Sequence, residues 1–263
     1  MGVEPGVQQA VQAALQSEMI MMDKVEEEAY TTVGGAILLM CGWRALFKLD
    51  ACNILVTSGC VRGWPLIPMD IFVVRYYNLE LGWYLHLMLK HSLGLGLQDT
   101  RSMDLHHVST VGLIVASYFL NFHTFGLLIF TLLNVSSPIL HASKLANTLD
   151  WRQAKVALFA LFALVFALTR VLLFPYVVIR APVMEAYTQI PRITQLPRFF
   201  WTWMMFIVLL MVLAVMQAYW FLAIVKILRH VTAGNEKGLQ AEVLKRDFSR
   251  EVGNVAAKTG AGA

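Results

Sequence analysis

AKVALFALFALVFALTRVLLFPYVVI, residues 154–179, carries only Lys155 and Arg170 as charged side chains. A run this long and this apolar suits a helix crossing a hydrocarbon core about 30 Å thick. It sustains no apolar–polar alternation, which argues against a membrane β-barrel. Outward from it, comparable runs recur at 31–47 (closed by Arg44 and Lys48), 70–90, 104–121, 124–143 and 199–227. The expected fold is all-α, a polytopic membrane protein of about six transmembrane helices.

The composition agrees. Of 263 residues, 58% are hydrophobic and 14% charged, and mean hydropathy is +0.61. A soluble domain carries about 25% charged residues. The net charge of +4 is spread along the chain with no basic stripe, so no nucleic-acid partner is expected. Residues 1–30 lack the basic start and apolar core of a signal peptide, and Glu26, Glu27 and Glu28 stand there instead. Gly6 stands where an N-myristoylation signal needs Ser or Thr. Val7, Val11, Leu15 and Met22 recur at helical spacing, so residues 1–30 are expected to form an amphipathic leader helix, followed by a membrane domain at 31–230 and a polar tail at 231–263. Six crossings put both termini on one side with Lys90, Arg101, Lys144, Arg152 and Lys155, against Arg44, Lys48, Arg62, Arg180, Arg192 and Arg198 on the other. This small bias favours cytosolic termini. Cys41 reads as a packing residue, whereas Cys52 and Cys60 share one connector and could pair if it faces an oxidising compartment.

Polar groups inside hydrocarbon are costly and usually face a bundle interior or a wet cavity. On the third run His106 or His107, Thr110, Ser117 and Asn121 fall at helical spacing, and on the fourth Asn134, Ser137, His141 and Lys144 do the same. The second run adds Asn78, Glu80, Tyr84 and His86, the fifth Arg170, and the sixth Gln217. Most such Ser, Thr and Asn side chains simply bond neighbouring helices, and Lys90, His141 and Lys144 lie close enough to the ends to reach the interface. Arg170 is deeper and is expected to be paired, with Glu80 the candidate partner. The adjacent imidazoles of His106 and His107 point about 100° apart, a poor chelate, so no metal is expected. A neutral imidazole beside hydroxyls can act as general base or nucleophile.

Several segments, in order, resemble the TLC-domain family and, within it, the ceramide synthases (longevity-assurance homologues). CVRGWPLIPM is similar to the family's Trp-x-Gly-Trp-Pro connector, and RYYNLELGWYLHLML to its Tyr-Tyr-x-x-Glu-x-x-x-Tyr helix. DTRSMDLHHVSTVGLIVASYFLN resembles the signature in which Asp99, His106, His107, Ser117, Tyr118 and Asn121 find matches. SKLANTLDW, LTRVLLFPY and MQAYWFLAIVKI resemble the Lys-x-Ala-Asn, Thr-Arg-x-x-x-Phe-Pro and Gln-x-x-Trp segments. The resemblance implies a ring of six helices around a lipid tunnel in an endoplasmic reticulum membrane, with catalytic His106 and His107 at its polar end. Together with the polar stripes it leaves Glu80, Tyr84, Asp99, Thr110, Ser117, Asn121, Asn134, Ser137, His141, Arg170 and Gln217 as the candidate substrate- or lipid-binding residues. No resident cofactor is expected, and acyl-CoA and a long-chain base are the candidate substrates.

One departure bears on this. The ceramide synthases carry His-Asp-x-x-Asp in the fourth span, where this chain has Asn134 and Ser137, and His141 replaces the Glu before the family Lys. NVSSPIL is closer to the Ser-Thr-Pro pattern of smaller TLC proteins. Acyl transfer to an amine or hydroxyl lipid is therefore one reading. A non-catalytic lipid-binding or scaffold subunit of a larger membrane complex is the other. A transporter fits less well, because no Gly-interrupted half-helices recur.

Overall fold

The computed structural model describes residues 5–49, 52–93, 101–185 and 197–234, and these are helical with short connections, apart from a long connector between Leu46 and Ile71 that holds a 3-10 turn at Thr57–Cys60. The long units are α1 (Pro5–Leu46), α2 (Ile71–Ser92), α3 (Arg101–Phe119), the pair α4 (His123–Asn134) and α5 (Ser137–Thr148), and a fifth unit built from α6 (Arg152–Phe166) and α7 (Phe174–Val178), with π-helical turns at Ala167–Leu173 and Ile179–Glu185. The last is α8 (Pro197–Thr232). Three of these units, 123–148, 152–185 and 200–230, are long and apolar enough to cross a membrane by length and composition. The chain is an integral, multi-pass, all-α membrane protein.

The connections alternate between two ends. At one end, Trp64 Nε1 donates to Leu120 O at 2.7 Å, Asn121 Nδ2 donates to Pro65 O and Ile67 O, and Trp203 Nε1 donates to Pro182 O at 2.8 Å. Cys52 and Cys60 form a disulfide in the connector here, the pairing that the sequence left open. At the other end, Lys90 Nζ reaches Glu27 at 2.8 Å, His91 reaches Asp104 at 3.2 Å, and Glu28 binds His141 and Lys144.

Two boundaries differ from expectation. The leader helix and the first span are one continuous helix, α1, so nothing breaks at residue 30. Its 42 residues extend about 63 Å, well beyond a hydrocarbon core. The fourth span is divided at Val135 and Ser136. Pro138 lacks the N–H that the Asn134 carbonyl would receive in an unbroken helix, and its ring crowds that carbonyl.

α4 is buried along its whole length, from His123 to Asn134, against α1, α2, α3 and α7. A helix that is apolar all round belongs in a core. It therefore occupies the centre, where a lipid tunnel was expected. The cavity between α3, α4 and α8, lined by Leu113, Ser117, Gly126 and Phe206 among others, holds about 10 Å³, room for about one water.

Gly126 makes this packing close. A Cβ there would strike the Tyr77 hydroxyl and come within 2.9 Å of Ser117 Oγ. The Tyr77 hydroxyl is fixed by donating to His123 O at 3.0 Å, with Ser117 Oγ 3.0 Å away. Overpacking costs about 1–3 kcal/mol. Gly126→Ala is expected to lower the thermal midpoint in detergent, and Tyr77→Phe in the same chain to restore part of the loss.

Candidate functional site

Apolar faces of α2, α3 and α8 bring the paired histidines inside. His106 and His107 are buried on α3 at 6% and 4% exposure. They diverge around the helix, yet Tyr84 of α2 meets both edge-on, with ring centroids 6.1 Å from His106 and 5.7 Å from His107. The two imidazoles are 5.8 Å apart, and Trp220 of α8 packs edge-on against His106 at 5.2 Å. Thr110 Oγ1 lies 3.5 Å from His106 Nδ1, at the limit of a hydrogen bond. A neutral ring held this way offers one nitrogen as acceptor, the form that acts as base or nucleophile. Among the described residues no group of three or more His, Cys, Asp or Glu side chains could hold a metal ion.

A second cluster forms at the α4–α5 break. Asn134 Nδ2 donates to Glu80 Oε1 at 2.9 Å and Oε2 at 3.2 Å, and to the Tyr76 oxygen at 3.3 Å. Glu80 stands one turn before Tyr84 on α2, which ties this cluster to the histidines. Arg170 does not pair with Glu80 as expected. Its Nε donates to Ser136 Oγ at 2.8 Å, its Nη1 to Gln217 Oε1 at 3.1 Å, and its Nη2 to Leu133 O at 2.7 Å and Ser137 Oγ at 3.3 Å. The break explains this choice. It frees the Leu133 carbonyl from the helical ladder, and the guanidinium fork takes it up. Carboxylate and guanidinium are thus held by neutral dipoles, which offsets part of the cost of burying them.

The remaining predicted residues are not gathered at the histidines. Ser117 faces Tyr77, and Asn121, at φ 61°, ties the end of α3 to the Trp64–Met69 connector. The stripe read from His106 to Asn121 therefore serves two separate places. His141 lies at the end of the bundle, where its Nδ1 donates to Glu28 Oε2 at 2.6 Å and Lys144 Nζ stands 3.4 Å from Oε1. Burial alone would raise the Glu28 carboxyl. The hydrogen bond from His141 and the charge of Lys144 outweigh that and hold it below its ordinary value. Asp99 lies outside the described residues. Sequence reasoning missed Tyr76, Ser136, Trp220 and Glu28. Tyr76 and Trp220 stood inside quoted motifs, and Ser136 lay two residues before Pro138. Glu28 had no signal beyond its acidic run.

The family model described as TLC domain matches residues 24–226. The chain is 32% identical to ceramide synthase 4 of Mus musculus over 190 residues, which is 72% of this chain and 46% of that protein. It is 31% identical to ceramide synthase 4 of Homo sapiens over 222 residues, 80% and 55% of the two. It is 33% identical to ceramide synthase 5 of Homo sapiens over 128 residues, 49% and 33%. The chain thus spans about half the length of these relatives, or less.

Proposed function

The chain belongs to the TLC-domain family, and from that premise we propose that it acts in lipid metabolism as a ceramide-synthase-like acyltransferase. It would move a fatty acyl group from acyl-CoA to the amine or hydroxyl of a lipid. The observation that carries this reading is the burial of His106 and His107 together, beside Tyr84 and Trp220, at a junction of membrane helices. Solvent-excluded imidazoles there can form an acyl intermediate that bulk water does not reach.

In the reaction, a neutral ring nitrogen of His106 or His107 attacks the thioester carbonyl carbon. A carbon–nitrogen bond forms and the carbonyl electrons move to oxygen. They return as the carbon–sulfur bond breaks, and the CoA thiolate leaves with the proton released by the ring. The acceptor amine or hydroxyl then attacks the acyl-imidazole, its proton passing to the departing ring. Glu80 of α2 offers a buried carboxylate where the fourth span has Asn134. Held by Asn134, it is suited to attract and orient a cationic acceptor. Because α4 fills the centre, the alkyl tail has to lie between helices that part to admit it, and each CH₂ buried contributes about 0.8 kcal/mol. The test is to incubate the full chain, in lipid nanodiscs, with acyl-CoA and a long-chain amine or alcohol. An N- or O-acyl product is expected, and an inert wild-type protein overturns the reading.

The disulfide supports an orientation. Disulfides persist in oxidising compartments, so the Cys52–Cys60 connector belongs on the lumenal side of a secretory-pathway membrane such as the endoplasmic reticulum. The Glu28–His141 end, which His106 is nearer, then faces the cytosol. Leu55→Ser creates a glycosylation acceptor at exposed Asn53, and Leu149→Ser creates one at Asn147 on the opposite end. Glycosylation in microsomes is expected for the first and not the second. Modification of the second alone contradicts this orientation.

A further inference from the structure

The cluster around Arg170 holds more donors than acceptors. A guanidinium has five N–H groups. Nε uses one, Nη2 two and Nη1 one, which leaves one Nη1–H over. Among the described residues, no carboxylate lies within ion-pair distance of Arg170. Gln217 is 1% exposed, and its Nε2 has no hydrogen-bond partner. The amide cannot flip to cure this. Arg170 offers only donors, so the Gln217 oxygen must face it. Each buried donor left unpaired costs about 1–3 kcal/mol. What is missing is an acceptor oxygen, best a negatively charged one.

The position matters as much as the deficit. Gln217 lies three residues before Trp220 on α8, so both stand on one face, and Trp220 is the ring packed on His106. Arg170 joins this face through its hydrogen bond to the Gln217 oxygen. It projects from a π-helical turn, a distortion frequent at functional sites.

We propose that the Gln217 amide N–H groups, with the remaining Nη1–H of Arg170, receive the carbonyl oxygen of a lipid acyl group and place its carbonyl carbon toward His106. This rests on the acyl-transfer reading and adds the receptor for the oxygen that becomes negative when the ring attacks. Donors fixed in advance and shielded from water stabilise such an oxyanion far better than solvent does.

Gln217→Glu tests this without dismantling the cluster. It keeps an oxygen for Arg170, removes the orphan donors and adds a carboxylate that pairs with the guanidinium and repels an oxyanion. In nanodiscs, kcat is expected to fall about 10²–10³-fold with the KM for acyl-CoA little changed. A long-chain fatty acid, whose carboxylate stands in for the oxyanion, is expected to bind at least about tenfold more weakly than to wild type. The alcohol of the same chain length should bind both proteins alike. If the wild type transfers nothing yet binds fatty acid in a Gln217-dependent way, the transfer reading falls and the receptor stands. If Gln217→Glu matches the wild type in both kcat and fatty-acid binding, the receptor is overturned and the donors serve a buried water. A wild type that neither transfers nor binds fatty acid overturns both.

Discussion

His106→Ala and His107→Ala are each expected to lower acyl transfer by about 10²–10⁴-fold, the range supplied by a positioned proton-transfer group, and more for whichever ring takes the acyl group. Both imidazoles are buried and both meet Tyr84, and His106 also packs against Trp220 and lies 3.5 Å from Thr110 Oγ1. The two losses should therefore differ in kind. The ring that accepts the acyl group abolishes adduct and product together. Its neighbour, acting as base or orienter, leaves some adduct and slows its discharge, which separates kcat from the rate of the first step. Folding is the control. Each alanine removes a ring from an apolar and aromatic cluster, so near-wild-type elution from size exclusion with lost turnover assigns the effect to chemistry. Turnover that survives in both variants removes the histidines from the mechanism.

Arg170→Leu is expected to be the most damaging change to the fold. The guanidinium joins the carbonyl left free at Leu133, the hydroxyls of Ser136 and Ser137, and the amide of Gln217. It thereby ties the fifth unit to the α4–α5 break and to α8. Leucine leaves those oxygens buried without donors, at about 1–3 kcal/mol apiece. A few such losses rival the 5–15 kcal/mol that typically stabilises a whole protein. Arg170→Lys keeps the charge but not the planar fork, and should fall between the two. Thermal unfolding in detergent gives the order wild type, then lysine, then leucine. A leucine variant as stable as wild type would show that the break is held by other means.

Much of the fold could be read from apolar run lengths. The second span was expected at 70–90 and is helical over Ile71–Ser92, with Asp70 capping it by accepting from Phe72 N–H. The fourth span was harder. Its stripe from Asn134 to Lys144 assumed an unbroken 3.6-residue period. In the structure Asn134 meets Glu80, Ser137 meets Arg170 and His141 meets Glu28, three separate partners along the span. Arg170 was mispaired for a related reason. The π turn at Ala167–Leu173 adds residues per turn and rotates the side chain from where α-helical spacing places it. The separation of Ser117 and Asn121 from the histidines had no local signal, because periodicity names a face and not the neighbour opposite it. The occupied centre was legible only in hindsight, since the apolar residues 124–133 read equally well as a lipid-facing wall and as a buried core helix.

The most direct measurement is mass spectrometry of the full chain after brief exposure to a long-chain acyl-CoA in nanodiscs without acceptor. The account predicts a mass increase of one acyl group, mapped by peptide fragmentation to His106 or His107 and discharged when a long-chain amine or alcohol is added. An unmodified protein, or an acyl group found only on Cys41 or a surface lysine, would contradict it.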